Sequence, residues 1–231
     1  MSLGRLADIA FEAVIFDMDG TLIDSTPAVV RAWETWASEY GLPPIDLHLH
    51  HGTPSASVVR SVMPEHLHEA GMQRITELEI ADLHDVVVLP GTVEALASLA
   101  TAKTATATSC TVPLAEAGIA AAELVPPSVL VTADDVVHGK PHPEPFLEAA
   151  RRLGADPRRC LVVEDAPSGL EAARAAGCFT LAVVTTTARE ALDADAIVSD
   201  LSEVRFQVDQ DGVRVRLAEQ FDDALALAQG T

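Results

Sequence analysis

The feature that most constrains this chain is an alternation, from residue 90 onward, of short β-branched runs with alanine-rich stretches of helical spacing. The strand-like runs are TATATSC at 104–110, SVLVTADD at 128–135, RCLVVEDAPSG at 159–169, FTLAVV at 179–184 and DAIVSD at 195–200. Strands that alternate with helices are joined by right-handed crossovers, and such crossovers build a parallel sheet. The pattern therefore predicts an α/β fold with a doubly wound parallel sheet.

Two segments depart from this alternation. Residues 24–89 have helical spacing and scattered prolines, although AVIFD at 13–17 is needed as a strand of the sheet. We therefore expect a Rossmann-like catalytic core made of residues 1–23 and 90–231, with an α-helical cap domain inserted at 24–89. Near the end, VRFQVDQDGVRVRL alternates with period two about Asp211 and Gly212, which predicts a hairpin followed by a short helical tail.

Composition narrows the class of protein. The 231 residues are 48% hydrophobic, so a sizeable core is expected. The formal net charge of −20 disfavours nucleic acid and membrane surfaces as partners. No apolar stretch is long enough to span a bilayer, there is no secretion signal, and the three cysteines suit reduced thiols. These features predict a cytoplasmic protein.

Chemically active residue types follow the predicted strands. Ligands of an open parallel sheet bind at the carboxyl ends of its strands, so residues at those ends are candidates for a site. In chain order they are Asp17 and Asp19, then Thr108 and Ser109, then Lys140, then Glu164 and Asp165. One acid in such a place is usually a solvated loop residue, but four groups in this order predict a shared site.

The residue types in these four groups indicate phosphoryl transfer. Clustered carboxylates form an oxygen-rich pocket suited to a hard cation such as Mg²⁺. A hydroxyl and backbone amides near a helix N-terminus, with the point charge of a lysine, bind a phosphoryl group.

Four motifs carry a resemblance to a known family. DMDGTLIDS, TSC, GKPHPEPF and VVEDAPSGLEAARAAGC closely resemble the haloacid dehalogenase-like phosphohydrolases, over essentially the whole chain. Within that superfamily, the stretch from VTADD to APSG is most similar to small sugar phosphatases and to deoxyglucose-phosphate and glycerol-phosphate phosphatases. The resemblance implies a Mg²⁺-dependent phosphatase that hydrolyses a sugar or polyol monophosphate through an aspartyl-phosphate.

The same resemblance implies a role for each motif residue. Asp17 matches the nucleophile, and Asp19 matches the general acid and base. Thr108, with the backbone amide of Ser109, matches the phosphate-binding hydroxyl, and Lys140 matches the lysine that holds phosphate and nucleophile together. The metal ligands implied are the Asp17 carboxylate, the Asp19 backbone carbonyl and Asp165, with Glu164 as a secondary or water-mediated contact.

The cap supplies the candidate contacts for the leaving group. In the family a cap loop at this point faces the active site, which makes His51, Gly52 and Thr53 candidate substrate-binding residues. Trp33 falls where the similar β-phosphoglucomutases carry a cap tryptophan near the substrate. Purely structural roles stay open for both. The histidines at 48, 50 and 51 are then solvated or core residues, and Trp33 belongs to a buried helix stripe with Trp36 and Tyr40.

Several alternatives remain open from the sequence. A β-phosphoglucomutase-like phosphomutase uses the same nucleophile, metal and lysine but returns the phosphoryl group to a sugar. A receiver-type signalling domain also presents acids, a hydroxyl and a lysine at strand ends, but it lacks an inserted cap. A separate zinc site at His48, His50 and His51 has no further ligands at suitable spacing. We expect a small phosphorylated molecule as substrate, and a monomer or weak homodimer.

Overall fold

The structure is a computed structural model, and it describes residues 2–46 and 52–219. Its strands are β1 (Ala13–Phe16), β2 (Ile23–Asp24), β3 (Val87–Val88), β4 (Lys103–Ala107), β5 (Val129–Val131), β6 (Cys160–Glu164), β7 (Phe179–Val183), β8 (Ala196–Val198), β9 (Val204–Asp209) and β10 (Gly212–Leu217). Its helices are α1 (Thr26–Glu39), α2 (Ser55–Val62), α3 (His68–Ala81), α4 (Thr92–Ser98), α5 (Val112–Ala121), α6 (Glu144–Leu153) and α7 (Pro167–Ala175).

The core is a six-stranded parallel sheet in the order β5-β4-β1-β6-β7-β8. This confirms the predicted α/β fold. All residues of β1 and β6 are buried, because helices or the β9-β10 hairpin cover both faces of the sheet. The central strands therefore read as unbroken apolar runs in the sequence.

The strand order determines where a ligand can bind. After β1 the chain continues to β4 and β5 on one side, and then crosses to β6, β7 and β8 on the other side. Connections leave in opposite directions on the two sides of β1, which opens a crevice at its carboxyl end. Asp17 follows β1 directly, and its amide donates to the Val163 carbonyl at 2.9 Å. The first acid of the sequence motif is thus held in register with the sheet.

The segment between β1 and β4 leaves and rejoins the core through a two-stranded antiparallel ribbon, β2 with β3. Between these strands, α1, α2 and α3 pack around a hydrophobic cluster of their own. Trp36 is fully buried there, and its indole N–H donates to the Gly71 carbonyl at 2.9 Å. Trp33 and Tyr40 contact Trp36 on either side, as the predicted buried stripe requires.

The hairpin was predicted correctly, but its turn was not. Gly212 is the first residue of β10 and pairs with Asp209, so the two turn residues are Gln210 and Asp211. Gly212 has φ +138°, and a Cβ there would overlap the carbonyl of Phe11, which explains the glycine. Most of the segment predicted as a helical tail lies outside the described residues. Within the described part of the chain, no helix has the length and apolar character needed to cross a membrane.

Candidate active site

The four predicted groups meet at the carboxyl end of β1. The Lys140 ammonium donates to Asp17 Oδ1, and to Glu164 Oε1 at 2.8 Å, so one cation bridges acids from two strands. Lys140 is 2% exposed, Asp17 5% and Glu164 0%. The Glu164 carboxylate also accepts from the amides of Asp165 and Ala166, at 2.7 and 2.6 Å. Glu164 therefore positions the lysine as well as the start of α7.

Three of the carboxylates form a buried cluster. Oxygens of Asp17, Glu164 and Asp165 lie within 4.8 Å of one another. Burial raises the pKa of Asp17 to about 8 despite Lys140, and burial with the charge of Glu164 raises the pKa of Asp165 well above its usual range. Burial alone would lower the pKa of Lys140, but the charges of Asp17 and Glu164 raise it. A single ammonium therefore does not balance the buried negative charge.

This donor set fits a divalent cation. It consists of oxygens only, which is the preference of hard ions, and the excess of carboxylate charge over Lys140 is what a bound cation would neutralise. Thr21 and Thr186 hold the Asp165 carboxylate by donating to Oδ1 and Oδ2, the first at 3.4 Å. The two hydroxyls orient the Asp165 carboxylate and leave lone pairs of its oxygens free for a cation.

Two glycines allow the acids to approach the backbone so closely. Gly20 has φ +86°, and a Cβ there would overlap the Asp165 carboxylate. Gly169 lies in the first turn of α7, where a Cβ would overlap the Glu164 carboxylate. The glycines of the DMDGT and DAPSG motifs therefore have a packing reason within the site itself.

Asp19 lies apart from the three-acid cluster and is held by three donors. Its Oδ1 accepts from Ser25 Oγ at 2.6 Å, and its Oδ2 faces Thr108 Oγ1 at 3.4 Å and Cys110 Sγ at 3.2 Å. The Cys110 amide in turn donates to Thr108 Oγ1 at 3.1 Å. The first and second predicted groups therefore meet through this carboxylate.

The site opens into a cavity of about 180 Å³ that core and inserted helices line together. Asp17, Asp19, Thr108 and Ser109 line it from the core. From the inserted segment come Gly52, Thr53 and Trp33, three of the predicted substrate contacts.

The predicted substrate-binding residues of the inserted segment differ in their surroundings. The Ser109 hydroxyl donates to the Gly52 carbonyl at 2.8 Å and so joins the core to the inserted segment. Trp33 is 3% exposed and belongs both to the helical cluster and to the cavity wall, and its contact with a substrate stays a prediction. His51, with His48 and His50, lies outside the described residues.

Sequence reasoning missed three polar residues of the site: Ser25, Thr186 and Glu79. Ser25 and Thr186 gave no signal, because single hydroxyls in loops are common. Glu79 did give one. Gly71, Ile75 and Glu79 recur at intervals of four and form the buried face of α3, so a glutamate occupies a position where helical spacing expects an apolar residue.

Comparisons with known proteins agree with this geometry. Residues 11–177 match the family model of haloacid dehalogenase-like hydrolases. Hexitol phosphatase A of Escherichia coli is 41% identical over 175 residues, which cover 73% of this chain and 81% of the relative. Glycerol-1-phosphate phosphohydrolase 1 of Saccharomyces cerevisiae is 34% identical over 194 residues, 77% of this chain and 76% of the relative.

A solved structure extends the similarity to a different activity. A Bacteroides vulgatus protein, provisionally named a β-phosphoglucomutase, has a TM-score of 0.72 and 30% identity, covering 84% of this chain and 86% of that one. The family match excludes the receiver domain, since it spans the strands that carry all four groups. The chain therefore belongs to the haloacid dehalogenase-like hydrolase family, as an enzyme of the phosphoric monoester hydrolase class.

Proposed function

We propose that this enzyme is a Mg²⁺-dependent phosphatase that hydrolyses a sugar or polyol monophosphate through an aspartyl-phosphate. The observation that carries the proposal is the pairing of buried Asp17 with buried Lys140 at the end of β1, where Asp17 lines a cavity together with Thr108 and Ser109. The substrate class is supported by relatives whose names specify hexitol and glycerol phosphates.

In the first step, an oxygen of Asp17 attacks phosphorus and the bond from phosphorus to the leaving oxygen breaks. Lys140 holds the nucleophile through Oδ1 and offsets the charge of the phosphoryl oxygens. Thr108 and the backbone amide of Ser109 bind the same oxygens. Asp19 donates its proton to the leaving alkoxide, so that a neutral alcohol departs.

In the second step, Asp19 takes a proton from water, and the water oxygen attacks phosphorus. The acyl phosphate bond breaks, inorganic phosphate is released and the Asp17 carboxylate is restored. The contacts of Asp19 with Ser25 and Thr108 support this role, because they hold its carboxyl beside the nucleophile without pairing it to a cation.

The Mg²⁺ would be held by Asp17, Asp165 and the Asp19 backbone carbonyl, with Glu164 in a supporting position. Its chemistry would be charge neutralisation: two unit charges about 4 Å apart repel by roughly 4 kcal/mol at an effective dielectric of 20. A phosphate dianion would otherwise meet an acidic cavity on a protein of charge −20.

Residues 24–89 act in this proposal as a cap domain on a core of residues 1–23 and 90–231. Support comes from the separate cluster of α1 to α3 and from the narrow β2-β3 connection. Closure by the cap would enclose the reacting groups and bring Gly52, Thr53, His51 and Trp33 to the leaving group. A monomer would suffice, since the described chain supplies every core group. A cytoplasmic location stays a prediction, and the unpaired cysteines agree with it.

A phosphomutase is the second candidate, because the Bacteroides vulgatus protein carries that provisional name. Moving a phosphoryl group between two positions of a sugar requires the site to hold a bisphosphate. The phosphatase is favoured because the relatives at 41% and 34% identity are named phosphatases, whereas the structure that carries the mutase name is 30% identical.

The experiment is a panel of sugar, polyol and nucleotide monophosphates, assayed for phosphate release with Mg²⁺ and with chelator, using Asp17→Asn as the matched inactive control. We expect Mg²⁺-dependent release that is largest for a sugar or polyol ester and absent in the variant. Isomer formation without phosphate release would establish the mutase instead. Near wild-type release by a folded Asp17→Asn enzyme would exclude the covalent mechanism.

A further inference from the structure

Glu79 is a carboxyl group that the proposed mechanism does not use. It extends from the buried face of α3, is 5% exposed, and lines the same cavity as Asp17 and Asp19. The neighbours on its face of the helix, Gly71 and Ile75, pack into the helical cluster. Glu79 is therefore the polar end of an otherwise apolar face, directed at the cavity.

No ion pair within the described chain accounts for the burial of Glu79, and the Trp33 side chain is the partner that acts on it. Among the described residues, no ion pair involves Glu79, and no lysine, arginine or histidine lines the cavity. Burial, together with the charge of Asp19, raises the pKa of Glu79 to about 8, while hydrogen bonding from the Trp33 side chain opposes the rise. A buried carboxyl costs free energy unless its hydrogen bonds are made, so further partners are expected inside the cavity.

The position of Glu79 indicates which part of the ligand it meets. The residues proposed to act on the phosphoryl group are Asp17, Lys140 and Thr108, and all three belong to the core. Glu79 belongs to the inserted helices. At this end of the cavity the described lining residues offer no cation that would attract a phosphate dianion. The leaving group is thus the part that faces Glu79, and its neutral hydroxyls can donate to the carboxyl.

We propose that Glu79 is a specificity-determining residue that binds hydroxyl groups of the leaving alcohol. This inference rests on the proposed phosphatase activity and adds a specificity residue to it. Phosphate esters of neutral polyhydroxy alcohols are favoured over esters whose leaving group lacks further hydroxyls. A site whose buried polar group must be satisfied rejects a substrate that leaves it unpaired. Binding energy of this kind enters kcat/KM when it is realised as the cavity closes.

The test compares kcat/KM for glucitol 6-phosphate with that for p-nitrophenyl phosphate, which offers no hydroxyl. Glu79→Met keeps the length of the side chain and removes its hydrogen bonding, so the ratio should fall at least tenfold. Glu79→Gln keeps shape and hydrogen bonding, so the ratio should stay within threefold of wild type. Glu69→Gln, on the exposed face of the same helix, is the matched control and should leave the ratio unchanged.

The outcomes separate this inference from the proposed function. An unchanged ratio in a folded Glu79→Met enzyme overturns it, and Glu79→Ala supplies the same comparison if the methionine variant does not fold. O-phosphoethanolamine tests a cationic leaving group: if Glu79→Met loses more on that ester than on glucitol 6-phosphate, the hydroxyl assignment is wrong. If the wild-type enzyme releases phosphate from none of the esters, the phosphatase proposal itself fails.

Discussion

At the residue scale, Asp19 is the acid whose surroundings differ most from those of its neighbours. Asp17, Glu164 and Asp165 crowd one another, whereas Asp19 is held by hydroxyl and thiol donors at the edge of the cavity. A group that donates and accepts a proton needs such access to the leaving oxygen and to water. Two carboxylates two positions apart in the chain therefore have different environments and different proposed roles.

Substitution of Asp19 should separate the two steps of the reaction. Asp19→Asn removes the proton donor and base, so turnover of a sugar phosphate should fall at least about 100-fold. With p-nitrophenyl phosphate, whose leaving group needs little protonation, formation of the aspartyl-phosphate should suffer less than its hydrolysis. Rapid-quench mass spectrometry should then detect phosphorylated enzyme.

Asp24→Asn is the matched control for that experiment. Asp24 accepts the Thr26 amide at 3.0 Å near the start of α1, and asparagine can accept the same bond. Its activity should equal that of wild type. Unmodified protein and an undiminished rate in Asp19→Asn would show that Asp19 has been given the wrong role.

The raised pKa of Glu79 predicts a pH-dependent difference in stability. The folded protein keeps this carboxyl protonated up to about pH 8, whereas the unfolded chain loses the proton near 4.5. The folded state then binds more protons between these values, so this group makes stability fall as pH rises through that window. Glutamine does not ionise, so its variant lacks this pH dependence. As pH rises through the window, the free energy of unfolding of Glu79→Gln minus that of wild type should therefore grow by about 1.4 kcal/mol per pH unit, a few kcal/mol in all.

Denaturant titrations at pH 5 and pH 8 measure this difference. Contributions from Asp17 and Asp165 occur in both proteins and cancel, and Asp19 and Trp33, the groups that act on Glu79, are unchanged. Glu69→Gln should show no comparable trend. A difference that is independent of pH would mean that Glu79 is ionised in the folded protein as it is in water.

At the element scale, the start of α7 is coupled to Lys140, the proposed catalytic lysine. Glu164 ends β6, accepts the first amides of the turn and holds Lys140, while Gly169 leaves room for its carboxylate. One side chain thus fixes the strand end, the helix start and the lysine. A larger side chain at Gly169 should therefore lower catalytic activity.

Gly169→Ala tests this coupling. The added methyl overlaps the Glu164 carboxylate, so either the helix or the pair of Glu164 with Lys140 must move. We expect kcat/KM to fall at least tenfold, about 1.4 kcal/mol, although alanine is the better helix former. Glu171→Ala changes the same helix at an exposed position and should have little effect. Equal activities in the two variants would contradict the coupling.

At the scale of the whole molecule, the cluster of buried carboxylates predicts that a bound cation stabilises the fold. In the part of the chain that the structure describes, the cation paired with the cluster of Asp17, Glu164 and Asp165 is Lys140, through Asp17 and Glu164. A divalent ion that binds the cluster should therefore stabilise the folded protein. Binding to the folded state alone stabilises it by about 2.7 kcal/mol when the free ion is at 100 times its Kd. The thermal midpoint should therefore rise when Mg²⁺ replaces chelator.

Asp165→Asn provides the control, because it removes one ligand and keeps the shape. Its midpoint should respond less to Mg²⁺ than that of wild type. Calorimetry at matched ionic strength measures both. An equal rise in the two proteins would place the stabilising ion elsewhere on the surface.

The sequence by itself determined the sheet and the chemistry of the core site. Unbroken apolar runs identified β1 and β6 because buried parallel strands need apolar residues on both faces. Since such strands end at one edge, Asp17, Lys140 and Asp165 could be assigned to one site from the order of their motifs alone. The sequence could predict turns at the glycines of these motifs. It could not predict that the glycines make room for the carboxylates of Asp165 and Glu164.

Only the tertiary structure decided what meets across long sequence separations. Ser109 reaches the Gly52 carbonyl, Thr186 reaches Asp165, and Glu79 reaches the cavity because α3 packs with α1 and α5. None of these partners is predictable from local propensity or spacing, since each depends on how the inserted helices sit on the core. The residues proposed for phosphoryl transfer lie in short contiguous motifs, so the sequence reveals them. The surface proposed to meet the leaving group forms only when the inserted helices pack on the core.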